Sequence, residues 1–147
     1  QLMRAVIQKV SRSAVSVAGK EISRIEAGFL VLVAVKAGDG KEQAHKLAEK
    51  ISKLRIIVDE KEKMNLSLLD KKESVMLVSQ FTLYGDTSRG NRPSFIDSAR
   101  PEQARPLFEI LAADLRALGL SVALGAFGEH MAIELINDEP TTIILDV

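Results

Sequence analysis

The feature that most constrains the fold is the uninterrupted apolar run at residues 29–35, which follows Gly28. A strand that is apolar on both sides is stable only where both sides are covered, so the run predicts a strand inside the protein. Residues 74–78 have a similar apolar character and predict a second strand of this kind. The remaining segments must therefore cover two faces of a sheet.

Two segments show the spacing of amphipathic helices. The first follows Asp39, which we expect to cap it. Its apolar stripe consists of Ala44, Leu47, Ala48, Ile51 and Leu54. The second begins at Pro101, a favourable first helical residue, and ends at Gly119. Its apolar stripe consists of Ala104, Leu107, Phe108, Leu111, Leu115 and Leu118.

The other segments predict shorter strands and loops. Strands are expected at residues 4–10, 14–18, 21–25, 55–58, 121–126, 131–136 and 141–147, with a hairpin turn at Gly19-Lys20. Residues 65–70 and 85–100 are expected to be loops, and the second is long enough to be either functional or mobile. The predicted fold class is α/β, with mixed sheets and two amphipathic helices on one side. The other side must pack on a second sheet or on another subunit.

The composition restricts the class of protein. The chain has 147 residues, the size of one domain, and we assign residues 3–147 to that domain. Gln1 and Leu2 precede Met3 and are interpreted as a remnant outside the natural chain. The absence of cysteine excludes thiolate nucleophiles and thiolate metal sites. No apolar run approaches the ~20 residues of a membrane span, so a cytoplasmic protein that does not bind membranes is expected.

The formal net charge is zero, which argues against a protein that grips long nucleic acid mainly through phosphates. No Lys or Arg follows Arg116, whereas five acidic residues do: Glu129, Glu134, Asp138, Glu139 and Asp146. The preceding part of the chain therefore carries a surplus of positive charge. Two interpretations are open there: modest contact with RNA, for which Arg89 and Arg92 in the long loop are the candidates, or a solvated face, which is the more common role of any one such residue.

The candidate site follows the apolar strand at residues 74–78, where the chain continues as Ser79-Gln80-Phe81-Thr82-Leu83-Tyr84. Two interpretations are open: these polar residues mark an ordinary strand end, or the strand delivers Ser79, Gln80 and Thr82 to a pocket. A threonine nucleophile would need an adjacent base, and this stretch contains none. Backbone N–H groups at a strand end can instead stabilise the oxyanion that forms during ester hydrolysis.

The two histidines do not predict a metal site. His45 falls on the polar side of the first helix and is expected at the surface. His130 lies near Glu129 and Glu134, but this spacing brings ligands together on a helix, and the segment is expected to be a strand or turn. We therefore expect neither a metal nor an organic cofactor.

Several short motifs occur in order along the chain. They are Lys63-Met64-Asn65, the stretch at 79–84, Arg-Pro-Ser-Phe at 92–95, Phe127-Gly128, Met131, and Asn137-x-x-Pro140-x-Thr142. Together they resemble the D-aminoacyl-tRNA deacylase family, and the resemblance runs from Met3 to Val147. It implies a compact homodimer with α/β/β layers that hydrolyses the ester bond of D-aminoacyl-tRNA, with mischarged glycyl-tRNA as an additional substrate.

The resemblance also implies roles for residues of the stretch at 79–84. Catalysis in the family is described as relying on main-chain groups and on the free ribose hydroxyl of the substrate. Phe81 and Thr82 would provide backbone donors near the scissile carbonyl, and Gln80 and Ser79 would hold the terminal nucleotide. The side chain of Thr82 would be secondary.

Pocket lining and stereochemical selection are likewise implied by the resemblance. Phe127 and Met131 would line the pocket, although both are equally ordinary core residues. A cis peptide before Pro140 would turn main-chain carbonyls toward the substrate held by the partner subunit. An L-amino acid would collide with this backbone, whereas a D-amino acid or glycine would not. The family has glycine where this chain has Glu139, and we expect this glutamate in the β or polyproline region preferred before proline.

Two alternatives stay open. The first is a tRNA-binding module of the same fold in which the change at Glu139 impairs hydrolysis. The second is an acyl hydrolase in which Thr82 is a true nucleophile. In the preferred interpretation the partners are aminoacyl-tRNA and a second copy of the chain.

Overall fold

The protein is described by a computed structural model that covers residues 2–147. Gln1, part of the interpreted remnant, lies outside the described residues. The elements are β1 (Arg4–Val17), β2 (Lys20–Ile25), β3 (Gly28–Ala34), α1 (Lys41–Lys53), β4 (Ile57–Val58), β5 (Met64–Leu66), α2 (Leu68–Lys71), β6 (Ser74–Ser79), a 3-10 helix (Phe81–Tyr84), α3 (Pro101–Ala117), β7 (Val122–Leu124) and β8 (Ala132–Asp146). The predicted mixed α/β class is confirmed.

The main sheet is organised by β1, which pairs with three other strands. Residues 4–10 of β1 pair antiparallel with β3, and residues 13–17 pair with β2. β8 runs antiparallel along residues 4–16 of β1. On the other side of β3, β6 and β7 continue the sheet in parallel. The β1–β8 register shifts on both sides of Val10, as it does at bulges where strands bend.

The helices cover one face of this sheet. α1 and α3 pack against each other, and their predicted stripes are buried against residues such as Phe29, Val31 and Leu77. Two stripe residues are exceptions: Leu54 is only partly buried, and Leu118 is 40% exposed. The helix positions predicted from apolar spacing are therefore correct, except at their ends.

The opposite face is covered by strands of the same chain. A second apolar cluster consists of Val10, Val15, Ile25, Leu30, Met76 and Val78. The Ser23 hydroxyl in β2 donates a hydrogen bond to the Leu124 carbonyl in β7 (2.8 Å), so the β1–β2 hairpin lies across β6 and β7. β3 therefore has buried residues on both sides, as its continuous apolar run predicts. The α/β/β layering and the homodimer stay predictions.

The start of the first helix differs from the prediction. Gly40, not Asp39, is the N-cap of α1. The Asp39 carboxylate accepts a hydrogen bond from the Lys36 backbone N–H (2.7 Å), so it stabilises the preceding turn. The Gln43 side chain accepts a hydrogen bond from the Gly40 N–H (2.7 Å) and satisfies a donor at the helix start.

Other corrections concern segment boundaries. Residues 65–70 are not a loop, because Met64–Leu66 pairs with β4 and Ser67 caps the short helix α2. The strands predicted at 4–10 and 14–18 form one strand, whose hairpin turn lies at Ala18-Gly19, one residue earlier than expected. The strands predicted at 131–136 and 141–147 likewise join into β8. In both cases a bulged strand continues through residues that interrupt the apolar pattern.

None of the helices in the described chain combines the length and the apolar character that a membrane crossing requires.

Candidate active site

The stretch Ser79–Tyr84 changes from strand to helix at Gln80. β6 ends at Ser79, and the Gln80 N–H donates to the Val33 carbonyl (2.7 Å), which extends the pairing with β3 by one residue. The first hydrogen bond of the 3-10 helix runs from the Leu83 N–H to the Gln80 carbonyl (3.2 Å). The N–H groups of Phe81 and Thr82 precede this bond and therefore have no acceptor within the helix.

A cavity of ≈ 790 Å³ opens beside this strand end. The motif contributes Ser79, Gln80 and Phe81 to its wall, and the end of the β3 segment contributes Val35. The other lining residues are Phe95, Ser98, Ala99, Arg100, Pro101, Ala104, Phe127, Gly128, Glu129, His130, Met131 and Ile133. A mainly apolar cavity with a few polar groups is typical of a site that binds a small organic group.

Thr82 does not line this cavity. Its hydroxyl oxygen accepts a hydrogen bond from the side-chain amide of Gln80. An amide N–H is a donor and does not remove a proton, so this contact does not activate the hydroxyl as a nucleophile.

The long loop after the motif forms one wall of the cavity. The Ser98 hydroxyl donates to the Phe81 carbonyl (3.0 Å), and the rings of Phe81 and Phe95 meet edge to face at 5.1 Å. The Ala99 N–H donates to the Val35 carbonyl (2.9 Å). These contacts attach the loop to β3 and to the 3-10 helix, which favours the functional interpretation of its length.

Tyr84 anchors the end of the motif. The Arg4 guanidinium lies 5.0 Å from the centre of its ring, and Arg4 also pairs with Asp146 (2.8 Å). The Tyr84 hydroxyl is buried without a hydrogen-bond partner. Burial raises the pKa of Tyr84 to about 12, so the phenol stays protonated at neutral pH. Tyr84 therefore packs at the end of the motif with its protonated phenol buried.

Phe127 and Met131 also line the cavity. The Phe127 ring packs 5.9 Å from the ring of Phe108 in α3. Met131 lies against Gly125, where an added Cβ would come within 2.9 Å of the Met131 sulfur. Both residues are half-buried, so they contribute to packing as well as to the surface of the cavity.

Glu139 and Pro140 do not border this cavity. They belong to an exposed turn within β8, and the peptide between them is cis. Glu139 has φ +97°, so the expectation that it occupies the β or polyproline region is wrong. A bulge explains the difference, because Lys9 alone stands opposite residues 138–141 and the longer segment must double back. Positive φ is a conformation that favours glycine.

Several lining residues carry no clear signal in the sequence. Ser98 and Arg100 stand in an irregular segment, and only their position after the motif points to the site. Glu129 and His130 also border the cavity, and no motif in the sequence points to this position. His45 lies at the surface, where its ring contacts Asp114 of α3. Among the described residues, no group of three His, Cys, Asp or Glu side chains could hold a metal ion.

Comparison with solved structures supports the fold. The structure of the c-Myc DNA unwinding element binding protein has a TM-score of 0.90 and 35% sequence identity, with 97% of each chain covered. That of a probable eukaryotic D-amino acid tRNA deacylase has a TM-score of 0.86 at 16% identity over the full length of both chains, which shows likeness of fold alone.

Sequence comparison gives closer relatives. A D-aminoacyl-tRNA deacylase of Koribacter versatilis is 52% identical over 144 residues, which is 98% of this chain and 97% of the relative. One of Bacillus licheniformis is 51% identical, with 98% of each chain covered. The family model described as D-Tyr-tRNA(Tyr) deacylase matches residues 6–146. The chain therefore belongs to the D-Tyr-tRNA(Tyr) deacylase family, a family of ester hydrolases.

Proposed function

We propose that this chain hydrolyses the ester bond of D-aminoacyl-tRNA and releases the free D-amino acid and the tRNA. The single observation that carries the proposal is that the Phe81 and Thr82 amides have no acceptor in the 3-10 helix, which begins at the cavity wall with Phe81 as a lining residue. Membership of a deacylase family supports the same conclusion. The proposed place of action is the cytoplasm, and the additional substrate is mischarged glycyl-tRNA.

The chemistry requires stabilisation of charge more than it requires a protein nucleophile. Water adds to the ester carbonyl carbon, and negative charge develops on the carbonyl oxygen. Backbone amides that already point at this oxygen stabilise it without reorganisation, an effect worth about 3 kcal/mol for one donor. The bond to the ribose oxygen then breaks, and that oxygen receives a proton. The neighbouring ribose hydroxyl of the substrate assists the proton transfers, so no base on Thr82 is required.

The remaining lining residues suit the two parts of the substrate. In the proposal, Ser79 and Gln80 hold the terminal nucleotide, and Phe127 and Met131 contact the aminoacyl group. The Phe81 side chain is 54% exposed at the cavity. A bound substrate or a second subunit would cover it.

We further propose a homodimer in which each subunit completes the site of the other. In one copy of the chain, Glu139 and Pro140 border no part of the cavity at Ser79. The exposed turn that contains them would reach into the cavity of the partner and face the α-carbon of the substrate. The side chain of an L-amino acid would then collide with main-chain atoms, so selection would occur by exclusion.

The direct test is release of D-Tyr and of L-Tyr from charged tRNA by the purified protein. Hydrolysis of the D-ester alone is expected. Hydrolysis of both esters, or of neither, would refute the proposed proofreading activity. Binding of tRNA without turnover would instead favour the alternative of a binding module.

Thr82→Ala separates main-chain catalysis from a threonine nucleophile. The proposal predicts a modest loss of kcat, because the Thr82 amide is kept while its hydroxyl is removed. Complete loss of turnover with intact tRNA binding would show that the hydroxyl is the nucleophile. Thr87→Ala, at an exposed position in the following loop, is the matched control and should change nothing.

A further inference from the structure

Lys9 lies directly opposite the turn formed by residues 138–141. Its two neighbours in β1 pair with Thr142 and Asn137 of β8, so a single residue of β1 faces four residues of the turn. Lys9 is only 6% exposed. A lysine buried to this extent requires charged or polar partners, because its ammonium group loses most of its hydration.

The partners of Lys9 come from two different elements. Its ammonium nitrogen lies 3.3 Å from Glu73 Oε1 and 3.7 Å from Asp138 Oδ2, and it donates to the Val10 carbonyl (3.3 Å). The contact with Glu73 is an ion pair that lacks the alignment of a hydrogen bond. Glu73 directly precedes β6, the strand that ends at the candidate active site. Lys9 therefore connects the turn to the residue that precedes β6.

Glu139 belongs to the same group of charges. A cavity of ≈ 200 Å³ is bordered by five charged residues: Lys9, Lys71, Glu73, Asp138 and Glu139. We call these five residues the charge cluster. Glu139, the residue that replaces the family glycine, thus borders a cavity of its own chain. The two cations and three carboxylates of the cluster stand on β1, on the segment from α2 to β6, and on the turn.

We propose that the charge cluster positions the turn at 138–141, and that Lys9 is the positioning residue on which this depends. The inference rests on the proposed function, because the turn is the element assigned to stereochemical selection. The bulge removes residues 138–141 from the β1–β8 ladder, so strand pairing does not fix their orientation. The buried Lys9 ammonium is shared by Glu73, whose side chain is 16% exposed, and Asp138, whose side chain is 50% exposed. The ion pair with Glu73 is therefore the better shielded from water, and the weaker pair with Asp138 links the turn to it and so to β6.

The test measures the ratio of the rate of D-Tyr-tRNA hydrolysis to the rate of L-Tyr-tRNA hydrolysis. This ratio is compared between the unaltered protein and variants at Lys9 and Asp138. Lys9→Met and Asp138→Asn should lower this ratio by on the order of tenfold to a hundredfold, as expected when a selecting group moves by about 1 Å. Lys9→Arg keeps the charge and should restore most of the selectivity. Arg12→Met is the matched control, because it removes another β1–β8 ion pair, to Glu134, away from the turn.

A second measurement does not depend on activity. In backbone NMR spectra, Lys9→Met should shift the amide signals of residues 137–142 and speed their hydrogen exchange, while Arg12→Met should not. Lys9→Met removes the cation that neutralises the carboxylate of Glu73. The double variant Lys9→Met/Glu73→Gln also removes this unpaired charge and should therefore keep the fold.

The outcomes are distinguishable. Unchanged selectivity and unchanged amide signals in the Lys9 variants would refute the positioning role. An equal loss in Arg12→Met would also refute it, because any loosening of β8 would then suffice. If the unaltered protein hydrolyses neither ester, the proposed function fails, and the NMR measurement still decides whether Lys9 positions the turn.

Discussion

Replacing Glu139 with glycine should stabilise the protein, because Glu139 occupies a backbone conformation that suits glycine. Its φ is +97°, and a non-glycine residue in a sparsely populated region costs about 1–3 kcal/mol. Glycine also increases the conformational entropy of the unfolded chain, which offsets roughly 0.5–1 kcal/mol of this gain in stability. The net gain in the free energy of unfolding is about 1 kcal/mol, which for a domain of this size raises Tm by roughly 2–4 °C.

The assay combines thermal unfolding, followed by circular dichroism, with deacylation of D-Tyr-tRNA. Glu139→Gly should raise Tm and leave the activity unchanged or increased. Glu139→Gln keeps the Cβ atom and removes the charge, so it should not raise Tm. Ala18→Gly is the matched control for backbone strain, since Ala18 has φ +50° in the β1–β2 hairpin and lies outside the charge cluster.

Three results would contradict this reasoning. An unchanged or lower Tm in Glu139→Gly, together with a gain in Ala18→Gly, would show that Glu139 is not strained. An equal gain in Glu139→Gln would assign the effect to the charge. A clear loss of deacylation in Glu139→Gly would show that the glutamate has acquired a role in the reaction.

Two further predictions concern packing and pH. Gly28→Ala should lower the free energy of unfolding by about 3 kcal/mol, because the added Cβ would stand 1.9 Å from the Ser74 carbonyl oxygen. Urea unfolding measures this change, and Gly90→Ala is the control, because nothing lies within 4 Å of a Cβ added there. Tyr84→Phe should leave stability at neutral pH unchanged or slightly higher, since the buried hydroxyl has no partner. Folding raises the pKa of Tyr84 from 10.0 to about 12, so stability should fall as pH rises through this interval, and Tyr84→Phe should remove that part of the slope. Tyr84 is the one tyrosine of the chain, so near-ultraviolet titration of its phenolate measures this pKa directly, and a value near that of a free tyrosine would contradict the burial argument.

The elements with strong periodicity were predictable from the sequence. β3 and the helices α1 and α3 each bury a continuous or regularly spaced apolar surface, and a pattern of that kind has few alternatives. Segment boundaries were less predictable where polar residues interrupt a strand. β8 continues through Asn137–Pro140 because its partner β1 holds both flanking segments, and this long-range pairing leaves no local signal.

The site was predictable only in part, for a similar reason. The change from apolar to polar residues at Ser79 indicates a strand end, and the structure places a cavity there. The walls supplied by Ser98 and Arg100 depend on how the long loop returns to β3, which composition does not specify. The left-handed backbone at Glu139 follows from the four residues that stand opposite Lys9, and rules for single residues do not detect that geometry.

The pairing of β1 with β8 has a consequence for how the protein is made. Arg4 and Asp146 bind each other across 142 positions of sequence, so β1 is synthesised long before β8, the strand that pairs with it. Bringing such distant segments together carries a large loop-closure cost and slows folding. During synthesis the edge of β1 that β8 later covers is open to other chains. Nascent-chain aggregation should therefore be sensitive to delays in translating β8.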